Sequence, residues 1–170
     1  MKTWKFKFGV MLAILSWLAA SAAWAVERGQ LPMADNLAKA AKEARSKQVP
    51  VLILFSSAGC HYCAQVREEF LIPMTRNAEY DSKVVMLEVE AGSSARLVDF
   101  DGKPTTHGEF ASRYGIYMTP TVKLLDAQGK EAAIPIVGVI TRDYYGGFLD
   151  EAINAALKKI RGAAATANAD

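Results

Sequence analysis

Apolar positions follow two rhythms along the chain, helical spacing and unbroken runs, and each predicts a different element. Asp35 or Asn36 can cap a helix to about Lys47, with Leu37, Ala40, Ala41 and Ala44 on one face. Pro50 then opens Val51-Leu52-Ile53-Leu54-Phe55, an unbroken apolar run that predicts a strand covered on both faces. Ser56 to Gly59 reads as a turn. A helix follows from about Cys60, with Cys63, Val66, Phe70 and Met74 at helical spacing, and Pro73 is predicted to kink or end it. Lys83 to Val89 reads as a second buried strand, and Arg96 to Gly102 as an extended segment closing in an Asp-Gly turn. Thr106 to Tyr114 has helical character, with Gly115 as its stop. Thr121 to Leu125 is a strand, Asp126 to Gly129 a hairpin turn, and Ala133 to Val139 the returning strand, which Pro135 pushes to a sheet edge. The last helix begins near Thr141 or Asp143, with Phe148, Leu149, Ala152, Ile153, Ala156, Leu157 and Ile160 as its apolar stripe. Gly162 to Asp170 reads as a flexible tail. Alternating elements that finish in a hairpin predict an α/β fold, one mixed sheet with helices on both faces.

The start of the chain breaks these rhythms. Met1 to Lys7 carries three lysines, and Phe8 to Ala23 is almost wholly apolar. Ala23-Trp24-Ala25 then offers small residues at the two positions a signal peptidase reads. This predicts a signal peptide over residues 1–25, a folded domain over 26–162 and a tail over 163–170. The competing reading is an uncleaved membrane anchor, since Phe8 to Val26 approaches the length of a bilayer core. Glu27 and Arg28 directly after the Ala-x-Ala favour cleavage. The expected location is the periplasm, if the source is a Gram-negative bacterium.

Composition adds mostly exclusions. Hydrophobic residues make up 51% and charged residues 22%, which is globular usage and excludes disorder or a fibrous rod. The net charge is +2, but three of the 20 basic residues lie in the leader, leaving 17 against 18 acidic ones. A near-neutral body gives no electrostatic case for nucleic acid. No added dimerisation segment is visible, so a monomer is the expectation.

The candidate chemistry lies in Cys60-His61-Tyr62-Cys63, which holds both cysteines of the chain. The spacing brings two sulfurs within bonding reach in one helical turn. A strand before and a helix after put Cys60 at a helix N-terminus, where free N–H groups and the helix dipole favour an anion. An ordinary thiol, with a pKa near about 8.5, is only about 3% thiolate at neutral pH. Lowering that pKa by about two units takes about 2.7 kcal/mol of selective stabilisation. The helix end contributes about 1 kcal/mol. N–H or S–H donors, or a cationic His61, must supply the rest. Cys63, one turn in, is expected to be more buried. A structural disulfide would constrain little of the unfolded chain over so short a loop. A structural zinc site needs about four ligands, and beyond the cysteines only His61 and His107 are good donors. Covalent haem needs histidine after the second cysteine, where Ala64 stands. A redox dithiol is the reading that remains strongest. His107, after Thr105-Thr106, reads as a loop or helix-start residue rather than a ligand.

Met118-Thr119-Pro120-Thr121 is the second element. A proline entering a strand in a redox fold suggests a cis bond beside the dithiol, against the alternative of an ordinary trans proline. Its missing N–H would leave the Thr119 backbone free to pair with an extended substrate.

"VLILFSSAGCHYC", "DFDGK", "YGIYMTPTVKLLDAQGK", Gly138 and "YYGGFLDEAI" together resemble the thioredoxin superfamily. More narrowly, they resemble its exported bacterial, thioredoxin-related (SoxW-like) members. The resemblance spans about Val49 to Leu157. It implies a thioredoxin-like fold, with Cys60 as the attacking cysteine, Cys63 as the resolving one and Pro120 as the cis-proline. The separation of Cys60 from Pro120 implies an insertion around Asn77 to His107. The chain departs from thioredoxin in having Gly59 before the first cysteine and His61-Tyr62 between the pair. The superfamily's buried aspartate, six residues before the first cysteine, corresponds to Leu54. Glu88 or Glu90 could replace it as proton acceptor for Cys63, although both read more readily as solvated strand-end residues.

The expected activity is thiol–disulfide exchange on disulfide-containing or thiol proteins. A histidine between the cysteines argues for an oxidising pair, whereas the resemblance argues for a reductase fed by a membrane electron donor. His61 could equally be a solvated surface imidazole. Tyr62, Tyr117 and Met118 are candidates for an apolar substrate rim, with core packing the competing reading for Tyr117. No soluble cofactor is implied. The alternative functions are a metal carrier, in which the soft thiolate pair holds copper, and a holdase chaperone with an idle dithiol.

Overall fold

The computed structural model describes residues 30–167. The predicted signal peptide over 1–25 lies outside the described residues. Helix α1 (Leu37–Lys47) begins where the Asn36 side chain accepts a hydrogen bond from the Lys39 N–H at 2.9 Å. It buries the predicted face, Leu37, Ala40, Ala41 and Ala44. Strand β1 (Val51–Ser56) is buried at all six positions, because it is central and covered on both sides. It pairs in parallel with β2 (Val85–Glu90) and antiparallel with β5 (Thr121–Leu125), which pairs in turn with β6 (Ile136–Val137). The sheet order is β2-β1-β5-β6, so β6 forms the edge. It is the mixed sheet with flanking helices that the apolar pattern predicts.

The helix after β1 departs from the expected spacing. It runs as α2 (His61–Gln65), a wider π-helical turn (Val66–Leu71) and α3 (Ile72–Arg76). The Ile72 N–H reaches back five residues to the Arg67 carbonyl. Pro73 has no N–H to donate to the preceding turn, and the widening just before it absorbs the missing bond. The inward face consequently steps from Val66 to Leu71 and Met74, all buried. Phe70, expected on that face, is only half-buried and packs its ring 5.1 Å from that of Tyr145. A short helix α4 (Ala78–Asp81) leads into β2.

An antiparallel ribbon of β3 (Arg96–Val98) and β4 (Pro104–Thr106) fills part of the predicted insertion, and β4 was not foreseen. Asp99 organises its turn, accepting from the Asp101 and Lys103 N–H groups at 3.0 Å each and from Arg113 at 3.1 Å. Burial opposes ionisation of this carboxyl. The bonds from Lys103, Arg113 and Asp101 outweigh it and hold the group below the usual carboxylate range.

Helix α5 (His107–Arg113) starts on a capping box of Thr106 and Glu109 and stops before Gly115, whose φ of 65° suits glycine. Beyond the turn at Asp126–Gly129 the hairpin makes one bridge, Leu125 to Glu131, and then opens. Ladder pairing resumes only at Ile136–Val137, not over the whole predicted Ala133–Val139, because Pro135 can donate no hydrogen bond. A 3-10 turn (Arg142–Tyr144) leads into α6 (Tyr145–Ala167). This helix buries Leu149, Ile153, Ala156 and Leu157 against the sheet, while Phe148 is exposed. It continues through Gly162 to Ala167, over residues expected to be a tail.

Candidate active site

Cys60 is the N-cap residue of α2, with extended backbone at φ −76° and ψ 103°. Its N–H donates to the Ser57 carbonyl at 3.2 Å, and its carbonyl accepts from the Ala64 N–H. The turn from β1 thus delivers the side chain to the open end of the helix. There Sγ accepts the Cys63 N–H at 3.2 Å. Cys60 is partly exposed, whereas Cys63 is buried one turn in. The two form a disulfide, with Cα atoms 5.2 Å apart. Accessibility and backbone donors therefore both select Cys60 as the sulfur an incoming group meets first.

The Thr119–Pro120 peptide is cis and places Thr119 against the dithiol. The Thr119 hydroxyl donates to Cys60 Sγ at 3.7 Å and lies 2.8 Å from the Ser57 hydroxyl. Ser57 was not foreseen as a site residue. Its only signal was its place in the turn before the first cysteine.

His61 is exposed, and its ring meets that of Tyr62 edge-on at 5.8 Å. Tyr62 and Met118 are also exposed, and Tyr117 is 98% exposed, so the core-packing reading of Tyr117 is wrong. Gly115 turns the chain immediately before Ile116-Tyr117-Met118 and projects this loop outward.

The largest correction concerns Glu88, which is not a solvated strand-end residue. It is 3% exposed, and both carboxylate oxygens accept from Arg67, at 2.7 Å from Nε and 2.5 Å from Nη2. This hydrogen bond outweighs the cost of burial and raises the Arg67 pKa further. Glu88 pairs in register with Leu54, the buried position where the superfamily's aspartate was expected. Neighbours in register share a sheet face, so an acid stands one strand away from that position. Arg67, Glu88 and Glu90 line an open cavity of about 660 Å³ together with Cys60 and His61. Behind it, His107 is a buried helix-start residue. Its Nδ1 accepts the Glu90 N–H at 3.0 Å and its Nε2 donates to the Ala34 carbonyl at 2.8 Å. A second feature not foreseen is the exposed bidentate bridge from Arg142 to Glu69, which ties the dithiol helix to the approach to α6. Among the described residues, no group of three or more His, Cys, Asp and Glu side chains is placed to hold a metal.

The family described as Thioredoxin-like domain matches residues 37–153. Among solved structures, the chain is similar to thioredoxin f from spinach chloroplast, at 20% identity and a TM-score of 0.51, covering 75% of this chain and 94% of that one. It is also similar to a thioredoxin of Malassezia sympodialis, at 17% identity and a TM-score of 0.50, covering 78% and 95%. At these identities the likeness concerns the fold. Comparison with curated proteins finds no match. With the family matching most of its length, and with both cysteines set in the first turn after a central strand, the chain belongs to the thioredoxin-like domain family, and the pair supports thiol–disulfide oxidoreductase activity.

Proposed function

We propose that the protein is an exported disulfide reductase that works by dithiol exchange. The observation that carries this reading is the asymmetry of the pair: Cys60 is accessible at the helix start with two donors on its sulfur, and Cys63 is buried behind it. In the reduced protein the Cys60 thiolate attacks one sulfur of a client disulfide. A mixed disulfide forms, the other client sulfur leaves as a thiolate, and that thiolate takes a proton from water. Cys63 gives its proton to the solvent and, as a thiolate, then attacks Cys60 Sγ. The second client thiol departs, and the protein is left as the Cys60–Cys63 disulfide, oxidised by two electrons. A dithiol donor protein at the membrane returns those electrons by the same exchange.

Thr119 and Pro120 act at the first attack, Thr119 by donating to the anionic sulfur and both by shaping the surface the client meets. His61 favours the thiolate electrostatically. Its exposure means that water screens this effect. Tyr62, Tyr117 and Met118 form the rim that a client touches. The export half of the proposal rests on the basic start, the apolar run and Ala23-Trp24-Ala25.

Insulin reduction by the mature chain with a chemical dithiol as donor tests the exchange. Turnover should vanish in Cys60→Ala, while Cys63→Ala should accumulate mixed disulfide. Undiminished turnover in Cys60→Ala contradicts the proposal, as does tight copper uptake without turnover. Cell fractionation tests export, which fails if the full-length chain stays in the cytoplasm.

A further inference from the structure

The cavity beside Cys60 holds one carboxylate that the fold leaves without a partner. Side chains two apart on a strand share a face, so Glu90 points the same way as Glu88, while Val89 between them belongs to the core. Glu90 ends β2 in register with Ser56, where β1 leaves for the turn that delivers Cys60. Its N–H is fixed on His107 Nδ1, and its side chain lines the cavity together with Cys60, Arg67 and Glu88. The Glu90 carboxylate is half-buried and takes part in no hydrogen bond or ion pair among the described residues.

The charges on this lining do not balance. Arg67 and Glu88 hold each other through two hydrogen bonds and are neutral as a unit. The bond to Glu88 is the main cause that raises the Arg67 pKa, and Glu68 and Glu90 add to it through space, so the Glu90 charge faces the same side of the sheet. What remains is one carboxylate in excess beside the reacting sulfur, with no lysine on the lining to meet it. His61 carries a charge only when protonated, and it is exposed to water. Leu31 and Met33, the latter 47% exposed, form an apolar part of the same wall. A methylene stem that ends in a cation matches both parts, with hydrocarbon against Met33 and charge towards Glu90.

We propose that this cavity takes a lysine or arginine side chain of the client next to its disulfide, with Glu90 as the residue that selects it. Resting on the exchange reading above, this makes the preferred substrates disulfides set in basic sequence. In the mixed disulfide the client is tethered to Cys60 Sγ, so a side chain flanking the client cysteine is held at the cavity that Cys60 lines. A cation there meets a carboxylate with no competing partner, whereas an acidic neighbour meets like charge.

The test uses the mature chain and three disulfide peptides that differ only in the residues flanking the cystine, which are Lys, Gln or Glu. Each kcat/KM is divided by the rate at which mercaptoethanol reduces the same peptide, which removes the peptide's own reactivity. The Lys peptide should exceed the Glu peptide about tenfold at low ionic strength, with the Gln peptide between them, and the ratio should shrink in about 1 M salt. Glu90→Gln keeps the shape of the side chain and should lower the ratio to about twofold or less. Glu90→Asp keeps the charge and should retain most of it. The ratio is the readout because removing a carboxylate beside Cys60 also eases ionisation of its thiol, which moves all three rates together. Equal corrected rates for the parent overturn the proposal. So does a ratio that survives Glu90→Gln or high salt. So does a uniform fall of all three rates with the ratio unchanged, which would make Glu90 a proton carrier rather than a selector. Failure of the parent on all three peptides would instead sink the exchange reading, and this inference with it.

Discussion

Beside Cys60, Arg67, Glu88 and Glu90 line an open cavity with charge; along β6 and α6, Ile134, Val137, Ile140 and Phe148 line a groove with hydrocarbon. Apart from Glu90, the charged wall is satisfied from within. Glu88 gives both oxygens to Arg67, and the strand behind it is pinned by His107. The apolar wall is the reverse, with large side chains facing outward and little packed on them. Where a surface group has its partner inside the molecule, changing it should cost stability. Where it has none, changing it should cost recognition. Cys60 lines the charged cavity and not the apolar groove, so the two costs are separable by experiment.

The largest expected effect is on the charged wall. Glu88→Ala leaves the Arg67 guanidinium half-buried without its carboxylate and should lower the unfolding free energy by about 3 kcal/mol in urea. Ile140→Ser on the other wall should change it by less than about 0.5 kcal/mol. Equal effects would erase the distinction between the walls. Asp99, outside both, sets a scale for an ordinary paired carboxylate. Its folded pKa is lowered, so its contribution is fully present above the unfolded value of about 3.9 and is lost as pH falls through the folded value. Asp99→Asn should therefore cost about 1 kcal/mol at neutral pH and progressively less in acid, where both side chains are neutral. A cost independent of pH would contradict the ionic account.

The smallest effect lies beneath the apolar wall. The Tyr145 hydroxyl is buried with no hydrogen-bond partner among the described residues, and burial pushes its pKa up to about 12. Tyr145→Phe should leave stability unchanged or raise it by up to about 1 kcal/mol, read by thermal unfolding, because it removes an unpaired polar atom and keeps the ring. A loss of stability would mean that the hydroxyl is paired.

The charged wall was the less legible of the two in the sequence, for a physical reason. The face of α1, the burial of β1, the start of the dithiol helix and the turn after β5 all follow from local spacing and turn chemistry, and all stand as predicted. The burial of Glu88 depends on Arg67, 21 residues away in sequence, and neither residue signals the other locally. Likewise, the π-helical turn arises from the way Pro73 interrupts hydrogen bonding a turn earlier, which shifts the inward face from Phe70 to Leu71. The Ile136–Val137 pairing shrinks because Pro135 acts on the ladder as well as on its own position. On the apolar wall, Phe148 fits the helical stripe of α6 by spacing but lies at its margin, where the sheet no longer covers it. The Cys60–Cys63 pairing and the cis Thr119–Pro120 peptide could be read from the sequence because each lies within one short segment. Ser57 could not, since its contact with Thr119 crosses 62 positions.

The central claim is that one sulfur of the pair is held as an anion at the start of a helix. Titrating the ultraviolet thiolate absorbance of the reduced mature chain, with Cys63→Ala to isolate Cys60, tests it directly. The account predicts that Cys60 ionises well below the range of free cysteine and that its rate of attack on a disulfide follows the same curve. Ionisation at about pH 8.5, the free-thiol value, would contradict it.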